Sequence, residues 1–405
     1  ASGEAMNLHV TGIVAGVDID VTDGDDGYAI RAGVADGFGG WISGSADNTV
    51  TLGTGATLVG KVDLGTGDNT LNLLGTGAAD NLFLGVDHLT AGDGTTVTAW
   101  DLSLSLANAS TFADLDINAL ATLRINENVT ITGDTANDGT FIYNVGADRT
   151  YAGVISGAGS LVKGGGATLT LSGDHTYSGS TVVASGLLNV TGSLVSQAYQ
   201  IYAGAGLTMA SAFTLTGDAV VNGTWTTPLL TVAGAGTLGG SGVIAGDVTS
   251  YGLIAPGNSP GTLTIGGDLL LGSGSRLAME ITPMGHDLLH VTGTTTLSGS
   301  SMQVDIANGF YANGQRFALL ASDGGITGSP LAISINNQSQ FVRFSLVDSG
   351  IGSTSVVVGV DRQPYSIAAT TRNSLGVSRG LTGATYVATP AMQAILGQID
   401  FMTLA

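Results

Sequence analysis

Thr168-Leu169-Thr170-Leu171-Ser172-Gly173 and Leu188-Asn189-Val190-Thr191-Gly192 state one pattern twice. In each, Leu or Val alternates with Thr, Ser or Asn, and a glycine closes the run. Alternation with a period of two is that of a β-strand buried on one side. Thr and Val suit such a strand because their branched Cβ atoms fit a pleated surface. The closing glycine supplies a turn with positive φ. Thr49-Val50-Thr51-Leu52-Gly53, Thr70-Leu71-Asn72-Leu73-Leu74-Gly75, Phe213-Thr214-Leu215-Thr216-Gly217 and Leu230-Thr231-Val232-Ala233-Gly234 extend the pattern in both directions. The glycines at 173, 192, 217 and 234 are spaced by 19, 25 and 17 residues.

Constant grammar at loose spacing predicts a β-solenoid, whose corners tolerate turns of different length. A β-sandwich would need several domains over this length, and no linker, proline cluster or charge run separates them. Coils of ~20–24 residues over the first 360 would number roughly 15–18. Inward Leu, Ile and Val would stack along the axis, and outward Thr, Ser, Asn and Asp would meet water.

Composition agrees. Glycine is 65 of 405 residues, yet 43% of the chain is hydrophobic and its mean hydropathy is +0.35, too apolar for disorder. Glycine shows no three-residue period and prolines number 7, which excludes collagen. The absence of cysteine excludes disulfides and thiolate metal sites. A net charge of −20 disfavours nucleic acid. No run of 18 apolar residues exists to span a bilayer, and residue 1 opens on no signal-peptide pattern, so such a segment is expected upstream.

The last 45 residues differ: Arg362, Arg372 and Arg379 against Asp361 and Asp400 give +1, leaving −21 on the rest. Thr389-Pro390 reads as an N-cap followed by proline at the first helical position. Met392, Ile395, Leu396, Ile399 and Met402 then recur at helical spacing, predicting one helix over about 390–403.

The stretch from Tyr151 to Lys163, continuing through Thr168–Gly173 and Thr176–Val183 to Gly186–Val190, resembles the autotransporter-associated β-strand repeat of type V secretion passengers. Gly240–Val248 with Gly252–Ile265 is similar to the region near the end of pertactin-like passengers. Asp287–Thr294 with Gly309–Leu320 is similar to their C-terminal folding core. The resemblance implies an all-β chain, a right-handed parallel β-helix displayed on a Gram-negative cell, followed by a helical linker and a translocating β-barrel. No string of barrel strands follows in this sequence. The expected domains are N-terminal coils over 1–150, repeat-bearing β-helix over 151–275, folding core or cap over 276–360 and linker over 361–405. The implied role is adhesion or cell–cell self-association without catalysis. The alternative is a stalk presenting an N-terminal enzyme, for example a serine protease. Implied partners are the chain's own translocator barrel, a host surface, or identical passengers on neighbouring cells.

No catalytic, cofactor or metal site is expected. Gly257-Asn258-Ser259-Pro260-Gly261 matches a nucleophile elbow, but a strand follows where the elbow needs a helix. Gly234-Ala-Gly236-Thr-Leu-Gly239 lacks the βαβ context of a dinucleotide fingerprint. His286 and His290 are four apart, but on a strand they would not converge on zinc; His9, His88 and His175 read as surface residues with them. The acids Asp18, Asp20, Asp23, Asp25 and Asp26 could wrap calcium, but lack the EF-hand pattern, and Gly65-Thr-Gly67-Asp68 is half of a calcium nonapeptide repeat. Solvated turns account for both. Pectin-cleaving β-helices need clustered carboxylates with a basic partner; only Arg31, Lys61, Arg124, Arg149 and Lys163 are basic before residue 276.

Overall fold

Alternation in the sequence becomes alternation of burial. Thr49–Leu52, Thr70–Leu73, Thr168–Leu171 and Leu187–Val190 each place their second and fourth residues in the core and leave the first and third half-buried. The computed structural model describes residues 47–58, 61–258 and 260–402. It also describes, by backbone alone, the strands Asn7–Val10, Ile13–Val14, Val17–Asp20 and Ala29–Ala32. The calcium candidates Asp23, Asp25 and Asp26 lie outside the described residues, as does Ser259.

The chain forms two compact units, Ala1–Ala210 and Ser211–Ala405. The first is built of parallel ladders. One runs through Thr49–Leu52, Thr70–Leu73, His88–Ala91, Asp114–Ile117, Thr135–Asn137 and Ile155–Ser156. A second runs through Thr98–Leu102, Ala121–Asn126, Thr140–Asn144, Ser160–Gly164, Ser180–Val183 and Ala198–Ile201. A third joins Arg149–Tyr151, Thr168–Leu171, Leu187–Val190 and Gly206–Met209. Residues of like direction therefore stack in columns ~4.8 Å apart. Val17–Asp20 departs from the pattern by pairing antiparallel with Ala29–Ala32.

The second unit continues the same construction from Asp218–Val221 to Ala332–Asn336. It ends differently. Arg316–Ser322 pairs antiparallel with Ser355–Arg362, which pairs antiparallel with Val342–Ser349. That reversal closes the sheet. The described residues make about 11 turns, fewer than the 15–18 expected over the first 360. Steps between paired strands are near the expected repeat for most coils, as from Thr140 to Ser160, and lengthen only late, with Arg276 pairing Ser301 and Ser301 pairing Ala332, steps of 25 and 31 residues. The antiparallel cap also consumes chain without coiling.

Two helices follow. Pro390–Asp400 matches the expected helix, with the Thr389 hydroxyl accepting the Met392 amide. Arg372–Ala384 was not anticipated. Its cap is Thr371, which exchanges hydrogen bonds with Ser374 in a capping box. Gly376, Gly380 and Gly383 hide it from propensity; a Cβ at any of them would face open space.

Candidate functional surface

The outward columns are mostly neutral. On the third ladder of the first unit Thr150, Thr170, Asn189 and Thr208 stand in register, with Asn189 Nδ2 donating to Thr170 Oγ1 at 3.3 Å. In the second unit Thr214, Thr231 and Thr249 form one column, which passes Leu270 to reach Thr296 and Thr327. These are chemically plain, repeated surfaces of hydroxyls, amides and methyls.

The acids gather at corners, and they are more than solvated turns. Asp134 accepts the amide of Val154, Asp138 that of Ala158 and Asp148 that of Thr168, at 2.7–2.8 Å and each 20 residues on. Asp47, Asp80, Asp247 and Asp268 do the same for Asp68, Ser105, Asp268 and Thr294. Each carboxylate thus satisfies a backbone donor of the next coil at the point where the ladder stops. The Ser105 amide holds Asp80, and the Thr294 amide Asp268, below the usual carboxylate range. Asp93 closes its own turn, and the amides of Thr96 and Thr95 bring its pKa to about 2. Inside a corner, the fully buried Asn69 works alike. Its Oδ1 accepts the Asn48 amide, and its Nδ2 donates to the carbonyls of Leu64, Gly67 and Gly85.

The densest charged cluster lies on the first ladder. His88 Nδ1 sits 2.8 Å from Asp114 and Nε2 2.6 Å from Asp68, so one imidazole links carboxylates of the coils on either side. The hydrogen bond to Asp114, supported by Asp68, raises its pKa. Both ring nitrogens are engaged by carboxylates, and among the described residues no group of three or more His, Asp or Glu is arranged to hold a metal.

Histidines 286 and 290 do not meet a common ligand. His286 packs edge-on against Phe317, with ring centroids 5.4 Å apart, while His290 Nε2 reaches Asp323 at 3.1 Å. His175 corrects the surface reading. It is fully buried beneath Tyr151, and its Nδ1 accepts the Ile155 amide. Burial pulls its pKa down to about 4.

Lys163 is likewise interior. Its Nζ donates to the carbonyls of Gly164, Gly165 and Ser185, each at 2.8 Å. Gly186, at φ +67°, leaves the room: a Cβ there would stand 2.7 Å from the ammonium. Burial lowers the Lys163 pKa to about 8. The ammonium ties two neighbouring corners together and faces no substrate-sized space.

The described residues of the elbow-like motif join two strands. Gly257 bridges Gly240, Gly261 donates its amide to Asp287 at 3.0 Å, and the strand Thr262–Ile265 follows. Gly234–Gly239 likewise leads into the strand Thr237–Gly240, with no helix opening after it.

At the end of the second unit, Arg362 and Asp400 form a buried bidentate pair at 2.8 and 2.7 Å. Arg362 also donates to the Tyr311 carbonyl and the Tyr365 hydroxyl, and Tyr365 donates to Asp400. Phe310 covers the guanidinium at 4.9 Å. The pair fastens helix Pro390–Asp400 to the antiparallel cap. Leu396 is fully buried there, and Gly397 lies so close to Gly309 and Phe310 that a Cβ would collide with their backbone.

Comparison with known proteins agrees with this architecture. The family described as passenger-associated-transport-repeat matches residues 161–190, the segment holding Lys163 and the five successive strands from Ser160–Gly164 to Leu187–Val190. The chain is 34% identical over 199 residues, 46% of its length, to the adhesin BmaC autotransporter of Brucella suis biovar 1 (strain 1330). It is 28% identical over 238 residues, 56% of its length, to an extracellular serine protease of Serratia marcescens. It spans 5% of the first relative and 19% of the second. A parallel solenoid bearing this repeat is the architecture of an autotransporter passenger. The chain is a parallel β-solenoid consistent with a passenger region of that kind. No described helix is long and apolar enough to cross a membrane.

Proposed function

We propose that the chain acts in adhesion or cell–cell self-association through its β-helix, without catalysis of its own. The observation that carries this reading is the repetition of uncharged columns on the outer faces, among them the aliphatic Ile142, Val162 and Val182. A host surface or identical passengers are the partners it fits, and a translocator barrel belonging to the same protein would deliver it. The similarity to an adhesin autotransporter supports the same reading. Residues 276–360, which include the antiparallel cap, would serve as the folding core for the coils before them. Residues 361–405 would serve as linker.

A second reading is a stalk that presents an enzyme, favoured by the similarity to an extracellular serine protease over 238 residues. Displaying the chain on cells that otherwise neither clump nor adhere discriminates the two. Faster settling or retention on a host-cell monolayer supports the first. Unchanged settling and retention would leave the stalk.

A further inference from the structure

We infer that identical chains meet through the outer face of the strands Thr140–Asn144, Ser160–Gly164 and Ser180–Val183. This deepens the self-association reading above and rests on it. The face carries two columns in register. One is Thr140, Ser160 and Ser180, with Ser160 Oγ accepting the Ser180 amide at 3.0 Å. The other is Ile142, Val162 and Val182, three aliphatic side chains pointing outward and only half-buried. Ala198 and Gln200 continue the columns on the next strand.

Charge and apolarity together set this face apart from the other two ladders of the unit. The chain carries −20, so two copies repel wherever carboxylates oppose one another. The first ladder presents Asp114 and Asp116 outward beside His88. The third presents Thr150, Thr170, Asn189 and Thr208, whose burial would remove hydroxyls and amides from water with little apolar gain. On the inferred face no outward residue from Thr140 to Val183 is charged; Lys163 points inward. Its edge is marked where Ile142 registers with Arg124, which pairs with Asp101 at 3.5 Å. An aliphatic stripe inside a neutral frame is where two copies can lie sheet on sheet at ~10 Å, as stacked sheets do.

The area sets the strength. Four strands at ~4.8 Å by about five residues at ~3.3 Å give about 300 Å² per copy. A stable interface needs about 800 Å² from each partner. A single contact is therefore weak, and adhesion would arise when many copies face each other on two surfaces.

The test uses the whole chain coupled to beads, comparing wild type, V162E/V182E, V162K/V182K and, on the third ladder, T170E. Wild-type and T170E beads should clump, and V162E/V182E beads should clump at least about tenfold more slowly. Mixing Glu beads with Lys beads should restore clumping, which a misfolded variant would not do. If wild-type beads clump and V162E/V182E beads clump equally well, the face is wrong and self-association stands. Glu-variant beads that lose clumping without recovery in the mixture would also overturn the face. If wild-type beads do not clump, self-association and the face fall together.

Discussion

Arg362 offers the sharpest test of how the end of the chain is held. Its side chain is 6% exposed and that of Asp400 is 0%. Arg362→Met keeps the aliphatic stem and removes the charge. Asp400 would retain only the Tyr365 hydroxyl and stand as a buried, unpaired carboxylate. Breaking such a pair from one side costs about 3–5 kcal/mol. The helix Pro390–Asp400 has 11 residues, too few to persist alone, so the loss should appear as local undocking with the coils intact. Amide exchange across 390–400 should then accelerate by about two to three and a half powers of ten, while the amides of Leu288–Val291 keep their protection. Hydrogen exchange read by mass spectrometry measures both in one experiment. R362M/D400L replaces both charges and should recover much of the protection, because no charge is left unpaired. Wild-type exchange in Arg362→Met would refute the reasoning. So would a double variant as labile as the single one.

Other perturbations reach the corners and the histidines. Asn69→Leu strips the Asn48 amide and Asn48 Nδ2 of a shared acceptor and the Gly67 and Gly85 carbonyls of a donor, and should cost at least about 2–3 kcal/mol, read as a lower thermal midpoint. His88 and His175 should titrate in opposite directions by NMR, His88 above 6.5 and His175 only near pH 4. For His88 the raised folded pKa means its stabilisation is complete below about 6.5 and fades as pH rises through the folded value. For His175 the unfolded chain binds the proton first, so stability should fall as pH drops from about 6.5 to 4. Asp80 and Asp268, held low by amides, add stability above about 3.9 that is lost as pH falls through their folded values, so urea midpoints should drop again below pH 4. Leu120 is 59% exposed at φ +64°, and Leu120→Gly should relieve strain and gain about 0.5–1 kcal/mol in chemical denaturation.

Much of this architecture was legible because it repeats. Thr168–Leu171 and Leu187–Val190 alternate as strands must, and Thr389-Pro390 announces a helix by local chemistry alone. Features that depend on which coil lies beside which were not legible. Asp134 and Val154 are 20 residues apart in a sequence whose coil length varies, so a carboxylate that caps the next coil looks like any turn acid. Lys163 looks like a surface base, because its three carbonyl partners exist only when two corners stack. Arg362 and Asp400 are 38 residues apart and separated by a glycine-bearing helix that local propensity conceals. The expected coil count is too high because the antiparallel cap takes up chain without coiling, and strand alternation alone does not distinguish parallel from antiparallel pairing.

Most of the corner carboxylates share a direction, which Asp87 on the Asn69 amide and Asp287 on the Gly261 amide reverse. In the pairs Asp134–Val154, Asp138–Ala158, Asp148–Thr168, Asp247–Asp268 and Asp268–Thr294, the acceptor belongs to the earlier coil and the donor to the later one. A stack of such coils has unlike ends. The edge facing the chain start offers bare amides, and the edge facing the chain end offers bare carboxylates. Along these pairs added coils satisfy one another in one polarity; joined head to head, carboxylate would meet carboxylate and amide would meet amide. The seam works as an arrow written in hydrogen bonds, and it makes inversion of a coil costly even where the aliphatic core would accept one.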